Sequence, residues 1–139
     1  MRTAIDTNIL SALWGGESSA RRISPFLFAA ASAGGLVIHP VVYVEARAHP
    51  SASESVVNDF LEKTRIAVDW NIGQEVWLLA AERFEQYVRR RRRQGVIEAK
   101  RFAADFLVAA HALLRADRLV TLDQRNYRTD FPELILIEP

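Results

Sequence analysis

Short apolar runs alternate along the chain with longer segments in which apolar residues recur every three or four positions. The short runs predict buried strands, and the longer segments predict amphipathic helices. The predicted strands cover residues 2–6, 36–39, 66–68, 118–122 and 134–137. The predicted helices cover 9–14, 19–34, a helix opened by Pro40, one capped by Ser51 or Ser53, 73–93 and 97–115. This alternation favours an α/β fold with a central, mostly parallel sheet of about five strands flanked by helices.

Length and composition are typical of one soluble domain. The 139 residues suit a single compact domain over 1–139, and 50% of them are hydrophobic. A net charge of +1 argues against a general polyanion binder, and the absence of cysteine excludes disulfides and thiolate metal sites. With no 18-residue apolar run and no signal-peptide pattern at the start, we expect a cytoplasmic protein without a membrane segment.

Four of the 17 acidic residues do not fit a solvated surface position. Asp6 follows the first predicted strand, and Asp123 follows the fourth. Glu45 lies one turn into the helix after the second strand, and Asp105 lies among apolar residues near the start of the helix predicted over 97–115. An acid among apolar neighbours is costly unless a cation or hydrogen-bond donors meet it. These four residues are therefore the candidates for chemistry.

Parallel topology predicts that these acids converge. The carboxyl ends of parallel strands and the starts of the following helices face one edge of the sheet, where ligands bind. Asp6, Glu45 and Asp123 are expected at that edge, and Asp105 joins them if its helix starts there. The alternatives are structural: Asp6 as a helix cap, Glu45 paired with Arg47 or another arginine, Asp105 as a charge favoured near a helix N-terminus, and Asp123 as a turn residue.

Carboxylates gathered in one pocket repel each other. Either some of them stay protonated, with raised pKa values, or a divalent cation neutralises them. A set of oxygen ligands selects Mg²⁺ or Mn²⁺ over zinc. Such a site activates water and stabilises charge on a phosphodiester. The spacing of the acids therefore indicates metal-dependent phosphoryl chemistry, most simply that of a nuclease.

Taken in chain order, several segments resemble one known family. They are Ile5-Asp6-Thr7-Asn8-Ile9-Leu10, Glu45, the segment 104–112 (ADFLVAAHA), the segment 116–123 (ADRLVTLD), and the tail residues Asn126-Tyr127-Arg128, Phe131-Pro132, Leu134 and Pro139. The ordered set, which spans the whole chain, resembles the PIN-domain family and, within it, the VapC-type toxins of bacterial and archaeal toxin–antitoxin pairs.

This resemblance implies a compact α/β PIN fold and an endoribonuclease that depends on Mg²⁺ or Mn²⁺. Asp6, Glu45, Asp105 and Asp123 would form the acidic cluster, with Asp6 and Asp105 as the main metal ligands and Asp123 assisting. Glu45 would position or deprotonate the attacking water. Supporting polar positions would be Thr7, Asn8 and Thr121. The family also implies an RNA substrate, a homodimer and an antitoxin that blocks the site.

Other functions are weighed against this one. A non-catalytic PIN-like RNA-binding or antitoxin-docking module would have the same fold without the chemistry. A phospho-acceptor receiver domain needs adjacent acids after strand one and a lysine at the end of strand five, whereas Lys63 and Lys100 lie elsewhere. A phosphatase of the Asp-x-Asp type is disfavoured because Asn8 stands where its second acid should be.

Some conspicuous residues receive structural interpretations. The run Arg89–Arg93 either grips an RNA backbone or is a solvated helix end favoured by the helix dipole, and the second interpretation is preferred. His111 is expected to be structural, Asp69 stays outside the acidic set, and Asp130 is interpreted as a turn residue. The three tryptophans are expected in the core or at an interface: Trp14, Trp70 and Trp77.

Overall fold

Five parallel strands form one sheet in the computed structural model, which describes residues 1–95 and 102–139. The strands are β1 (Thr3–Ile5), β2 (Leu36–Ile38), β3 (Ile66–Val68), β4 (Arg118–Val120) and β5 (Leu136–Ile137). They lie in the order β3-β2-β1-β4-β5, and each neighbouring pair is parallel. The α/β fold with a central parallel sheet flanked by helices is therefore confirmed.

Strand β1 lies at the centre of this sheet. Its Thr3 is opposite Leu36 of β2 on one side and Arg118 of β4 on the other. The chain first builds outward from β1 through β2 to β3, and it then returns to the other side of β1 to form β4 and β5. A reversal of this kind opens a crevice at the carboxyl ends of the strands beside it. Here the crevice lies between the ends of β1 and β4.

Seven helices connect and cover the strands in the part of the chain that the structure describes. They are α1 (Thr7–Trp14), α2 (Ala20–Ala33), α3 (Pro40–Arg47), α4 (Glu54–Thr64), α5 (Gln74–Arg93), α6 (Ala103–Arg115) and α7 (Arg125–Arg128). The local sequence determines where several of these helices begin. Pro40 opens α3, and Ser53 caps α4 by accepting a hydrogen bond from the Val56 N–H at 3.2 Å.

Several boundaries differ from the sequence prediction; helix α1, for example, begins at Thr7 and not at Ile9. Helix α6 begins at Ala103, because Phe102 has an extended backbone; residues 97–101 of the predicted helix lie outside the described residues. Residues 125–128, predicted as loop, form α7. Strand β4 ends two residues early: the Thr121 N–H still donates to the Ile137 carbonyl, but the Leu122 N–H donates to the Asn8 side chain across the crevice. Strand β5 begins at Leu136, two residues later than predicted.

The core lies on and around the central strands. All three residues of β1 and of β2 are buried, as expected for strands covered on both faces. The first helix adds Ile9 and Leu10, which are fully buried, and α6 adds Phe106. Within residues 1–95 and 102–139, no helix is both long enough and apolar enough to cross a membrane. The packed centre therefore fixes the positions of the residues that immediately follow β1 and β4.

Candidate active site

Asp6 lies in the crevice at the end of β1. Its backbone N–H donates to the Val120 carbonyl of β4 at 3.1 Å, which holds it between the two strands. Its backbone is extended (φ −79°, ψ 153°), and its Oδ1 accepts a hydrogen bond from the Thr7 N–H at 2.8 Å. Asp6 therefore caps α1, as the structural alternative proposed. It is also only 7% exposed, so its carboxylate is far more buried than that of an ordinary helix cap.

Two hydroxyl groups meet the other oxygen of this carboxylate. Thr121, just after β4, donates to Asp6 Oδ2 at 2.8 Å, and Tyr127, on α7, donates to the same atom at 2.6 Å. Both donors are buried, with Tyr127 only 1% exposed. A carboxylate oxygen accepts about two hydrogen bonds, so Oδ2 is fully used. Oδ1, with one backbone donor, is the oxygen that can still accept a proton or a cation.

The environment of Asp6 disfavours its charge. Burial raises the pKa of its carboxyl above the ordinary 3.8, and the negative charge of Asp105 raises this pKa further. Hydrogen bonds from Tyr127, Thr121 and Thr7 act in the opposite direction but do not cancel the effect of burial. Asp105 therefore lies near enough for its charge to act on the Asp6 carboxylate through space. The site is therefore one in which a positive charge would be stabilised.

A polar bracket joins α1 to the segment after β4. Asn8 donates to Thr121 Oγ1 through its side-chain amide, and its Oδ1 accepts from the Leu122 N–H, each at 3.1 Å. The Asp123 N–H also donates to Thr121 Oγ1 at 3.1 Å. Thr121 thus receives two donors while its own proton goes to Asp6. The bracket explains why an amide at Asn8 and a hydroxyl at Thr121 suit this crevice.

Glu45 joins the same site through one intermediate residue. Thr7 Oγ1 donates to Glu45 Oε1 at 2.8 Å, and the backbone N–H of Thr7 bonds Asp6. Glu45 is exposed on α3, so it faces the solvent side of the crevice. The alternative pairing with Arg47 is not observed among the described residues, because Arg47 instead contacts Glu54 at 3.5 Å. Thr7 therefore holds a buried and an exposed carboxylate at fixed positions relative to each other.

The last two predicted acids differ in how they relate to Asp6. Asp105 is half-buried in the first turn of α6 and interacts with Asp6, whereas the described contact of Asp123 runs through its backbone. Within residues 1–95 and 102–139, no three histidine or acidic side chains are grouped closely enough to hold a metal ion together. The pair Asp6 and Asp105 nevertheless fits Mg²⁺, which is usually held by one or two carboxylates plus water and phosphate oxygens. The four-carboxylate site stays a prediction.

Comparison with known proteins identifies the family. Residues 3–132 match the family model of the PIN domain. The chain belongs to the PIN domain family. Its fold is similar to the structure of VapBC2 from Rickettsia felis bound to a DNA fragment from their promoter (21% identity, 99% of this chain and 98% of that chain covered, TM-score 0.64). It is also similar to VapBC-1 from nontypeable Haemophilus influenzae (20%, 99% and 98%, TM-score 0.63). No curated protein matches the chain.

Two residues of this PIN domain make contacts at or near the site that the sequence did not predict. Tyr127 bonds Asp6, and nothing in the local pattern of a short polar helix signals that contact. Asp130 lies in a turn, as interpreted from the sequence, but its side chain is also 3% exposed and binds Arg90 at 2.7 Å, which the sequence did not indicate. Both contacts join segments about 40 residues or more apart in sequence, so they become visible only once the chain is folded.

A buried histidine pair lies beside the site. His39 Nδ1 accepts from the Val41 N–H at 2.8 Å, which leaves its proton on Nε2, while His111 Nε2 faces Asp69 Oδ2 at 3.1 Å. The two rings are 5.5 Å apart. Burial lowers the pKa of both histidines, that of His39 to about 4. Both are therefore neutral at physiological pH, which supports the structural interpretation of His111 and of Asp69.

Proposed function

We propose that this PIN domain is a metal-dependent endoribonuclease, the VapC-type toxin of a type II toxin–antitoxin pair. The observation that carries the proposal is the buried Asp6 carboxylate, whose pKa is raised by burial and by Asp105, in the crevice between β1 and β4. The PIN family and the similarity in fold to two VapBC structures support it. The RNA substrate follows from the resemblance of the motifs to VapC-type toxins.

Asp6 and Asp105 are the residues proposed to hold Mg²⁺ or Mn²⁺, with Asp123 assisting. A divalent cation bound there supplies activation of a water molecule and stabilises negative charge on the phosphodiester. Thr121 and Tyr127 occupy Asp6 Oδ2, so Oδ1 is the oxygen that Asp6 offers to the cation. The three donors also fix the orientation of the carboxylate before any ligand arrives.

Glu45 is the proposed general base. Its Oε1 is held by Thr7 at 2.8 Å, which leaves Oε2 to take a proton from the attacking water. The water oxygen bonds to phosphorus, the P–O bond to the leaving nucleoside breaks, and that leaving oxygen takes a proton from solvent. The exposure of Glu45 suits this role, because a water molecule and an RNA strand can reach its free oxygen from solvent.

The function is tested with charge-neutral variants of the acids. Asparagine caps helices about as well as aspartate, so Asp6→Asn removes the charge and keeps the start of α1. We expect the wild type to arrest growth when expressed and to cut RNA with Mg²⁺ but not with chelator. Asp6→Asn and Asp105→Asn should do neither, whereas the exposed Asp59→Asn on α4 should behave like wild type.

The same experiment separates the two functions under consideration. A non-catalytic RNA-binding or antitoxin-docking module predicts that Asp6→Asn and Asp105→Asn still arrest growth. Arrest retained in both variants would therefore exclude metal-dependent cutting as its cause. Mapping the ends of RNA from cells that express the wild type, beside the Asp6→Asn control, would identify the RNA and the bond that is cut.

An antitoxin is the first proposed partner. The two solved structures compared above are named as VapBC, and this resemblance implies an antitoxin that blocks the site of this chain as well. Co-expression with the protein encoded beside it is expected to suppress growth arrest and to protect RNA from the purified complex. Full cutting activity in that complex would contradict the proposed inhibition.

A second copy of the chain is the other proposed partner. Trp70 (65% exposed) packs on Tyr43, and Trp77 (53% exposed) packs on His39, with ring centroids 5.4 and 5.9 Å apart. His39 and Tyr43 are four residues apart at the start of α3, so the two indoles lie along one side of this helix. Exposed aromatic groups of this size typically mark an interface.

Light scattering after size exclusion tests the homodimer. We expect a dimer for wild type and a shift to monomer for Trp77→Ser. Phe28→Ser is the matched control, since Phe28 is 79% exposed but lies on α2, away from α3. A monomeric wild type, or equal effects of the two substitutions, would contradict the proposed interface.

A further inference from the structure

The end of α5 projects past the start of α6. The two helices are antiparallel: Arg115, at the end of α6, binds Glu75 at the start of α5, and the Phe84 and Phe106 rings lie 5.1 Å apart. Phe84 is therefore level with Phe106, one residue after Asp105. With a rise of about 1.5 Å per residue, Arg89 lies about 6 Å and Arg93 about 12 Å beyond the level of Asp105 along the helix axis. We call residues 89–93 the arginine arm.

Hydrogen bonds and ion pairs attach helix α5, which carries the arginine arm, to the segment that follows Tyr127. Arg90 binds Asp130 at 2.7 Å, and the side chain of Asp130 is 3% exposed. About two turns earlier on α5, Arg83 donates to the Asp130 carbonyl at 2.6 Å and binds Glu133 at 2.7 Å. Asp130 directly follows the segment that carries Tyr127. The arm is thus tied to the part of the chain that positions Asp6.

Three arginines of the arm share a solvent-facing side. Arg89, Arg92 and Arg93 are spaced three and four residues apart, and all are exposed. Arg89 pairs with Glu85, but both side chains are 60% or more exposed, so this pair contributes little. Within the described residues, neither Arg92 nor Arg93 has an acidic partner. Their positive charge is therefore available to a ligand.

The chemistry of this surface fits a phosphate backbone. Guanidinium groups bind phosphates through two parallel N–H donors, and such contacts dominate affinity for nucleic acids. No large apolar side chain is exposed on α5 between residues 79 and 93, and the exposed aromatic group beside the arm is Phe102, just before α6, whose ring is suited to stacking on a base. The charge also lies at the end of α6 that carries Asp105, where a substrate of the acidic site would pass.

We propose that Arg89, Arg92 and Arg93 bind phosphates of the RNA strand that flank the bond being cut. This inference rests on the proposed ribonuclease function and names how that site holds its substrate. The interpretation of the run as a merely solvated helix end is set aside, because the antiparallel packing places it beyond Asp105. The arginine arm acts in binding, so its loss is expected to raise the KM for RNA more than it lowers kcat.

The experiment compares two double variants that each remove two positive charges. Arg92→Gln/Arg93→Gln alters the arm, and Lys63→Gln/Arg65→Gln alters exposed residues at the end of α4, beside the start of β3 and at the opposite edge of the sheet. Binding of a fluorescein-labelled single-stranded RNA is followed by anisotropy with chelator present, so that no cutting occurs, over a series of salt concentrations. Melting curves confirm that both variants are folded.

The expected result is quantitative. Each lost phosphate contact lowers the slope of log affinity against log salt by about 0.7 for a single strand, so the arm variant should lose about 1.4. Accumulated over the decade from about 1 M to 0.1 M salt, this slope makes binding on the order of 25-fold weaker at the lower concentration. The Lys63→Gln/Arg65→Gln control should keep the wild-type slope. Equal slopes for all three proteins would overturn the proposal.

Cutting of the same RNA with Mg²⁺ distinguishes the two proposals. If wild type and the arm variant cut RNA with the same KM, the proposal that the arginine arm binds the substrate is wrong, and the proposed ribonuclease function is unaffected. If wild type binds RNA through the arm but never cuts it, the proposed ribonuclease function is wrong, and only RNA binding by the arm remains of the inference. Loss of antitoxin binding in the arm variant, with unchanged RNA binding, would assign this surface to the protein partner and overturn the inference.

Discussion

Removing one hydroxyl group tests the most buried bond of the site. Tyr127→Phe deletes the donor that lies 2.6 Å from Asp6 Oδ2 and keeps the ring, which is 1% exposed. Because Thr121 still donates to Oδ2, the carboxylate keeps a partner on that oxygen. A hydrogen bond to a charged group stabilises the fold by about 1.5–3 kcal/mol. At roughly 4 °C per kcal/mol for a chain of this length, the melting temperature should fall by about 6–12 °C.

The loss should depend on pH in one direction. The Tyr127 bond favours the charged form of Asp6, so deleting it raises the pKa of this carboxyl further. The difference between wild type and variant is complete where Asp6 is ionised in both. It disappears as pH falls through the folded-state pKa of Asp6, which lies above the ordinary 3.8. An effect on packing alone would be independent of pH.

Urea unfolding followed by circular dichroism, at neutral pH and in acid, measures both predictions. The control is Tyr43→Phe, whose hydroxyl donates to Asn58 on the surface at 3.0 Å and whose loss should cost less than about 0.5 kcal/mol. Equal losses for Tyr127→Phe and Tyr43→Phe would refute the reasoning. So would a Tyr127→Phe deficit that stays constant into acid, because the bond would then not serve the ionised form of Asp6.

Two further predictions concern buried charge. Asp6→Asn should unfold at higher urea than wild type at neutral pH without metal, because the raised pKa of Asp6 makes its ionised form costly; the gain should vanish in acid, and a less stable variant would contradict it. For His39, whose pKa is lowered from 6.5 to about 4, stability is complete above 6.5 and declines toward about 4, by about 3 kcal/mol in total. His39→Asn, which keeps a capping residue, should reduce this loss of stability in acid. An unchanged dependence of stability on pH would contradict the assignment of the loss to His39.

The sequence predicts the fold of this chain well because its signals are local. Apolar runs such as 36–38 and 66–68 carry no polar interruption, and helix starts are marked by the fixed backbone of Pro40 and by the capping hydroxyl of Ser53. The predictions fail where side chains compete with the backbone. Strand β4 was extended through Leu122, but the Leu122 N–H bonds Asn8 Oδ1 across the crevice, so the ladder stops at Val120.

The site is predictable only in part, for a physical reason. An acid in an apolar setting is conspicuous in any sequence, which is how Asp6 and Asp105 were found. The donors that make such an acid tolerable are ordinary residues, and only the folded distance shows their role. The resemblance assigned Thr121 a supporting position at the site. It did not predict the hydrogen bond from Tyr127 to Asp6 or the one from Thr7 to Glu45, since neither contact follows from spacing along the chain.

The hydrogen bonds of Asp6 bear on both of its interpretations, as a helix cap and as a residue of the acidic site. Its Oδ1 caps α1, which stabilises the fold by about 1 kcal/mol, and a neutral asparagine would do the same. Capping therefore explains why an acceptor oxygen stands at position 6, but it does not explain why the side chain is a carboxylate that can carry a negative charge. Burial and the nearby Asp105 both oppose that charge, and three donors only partly offset them. Because burial and the charge of Asp105 both disfavour the charged form, a cation at the remaining acceptor position of Oδ1 would stabilise it, which is the basis of the metal site proposed above.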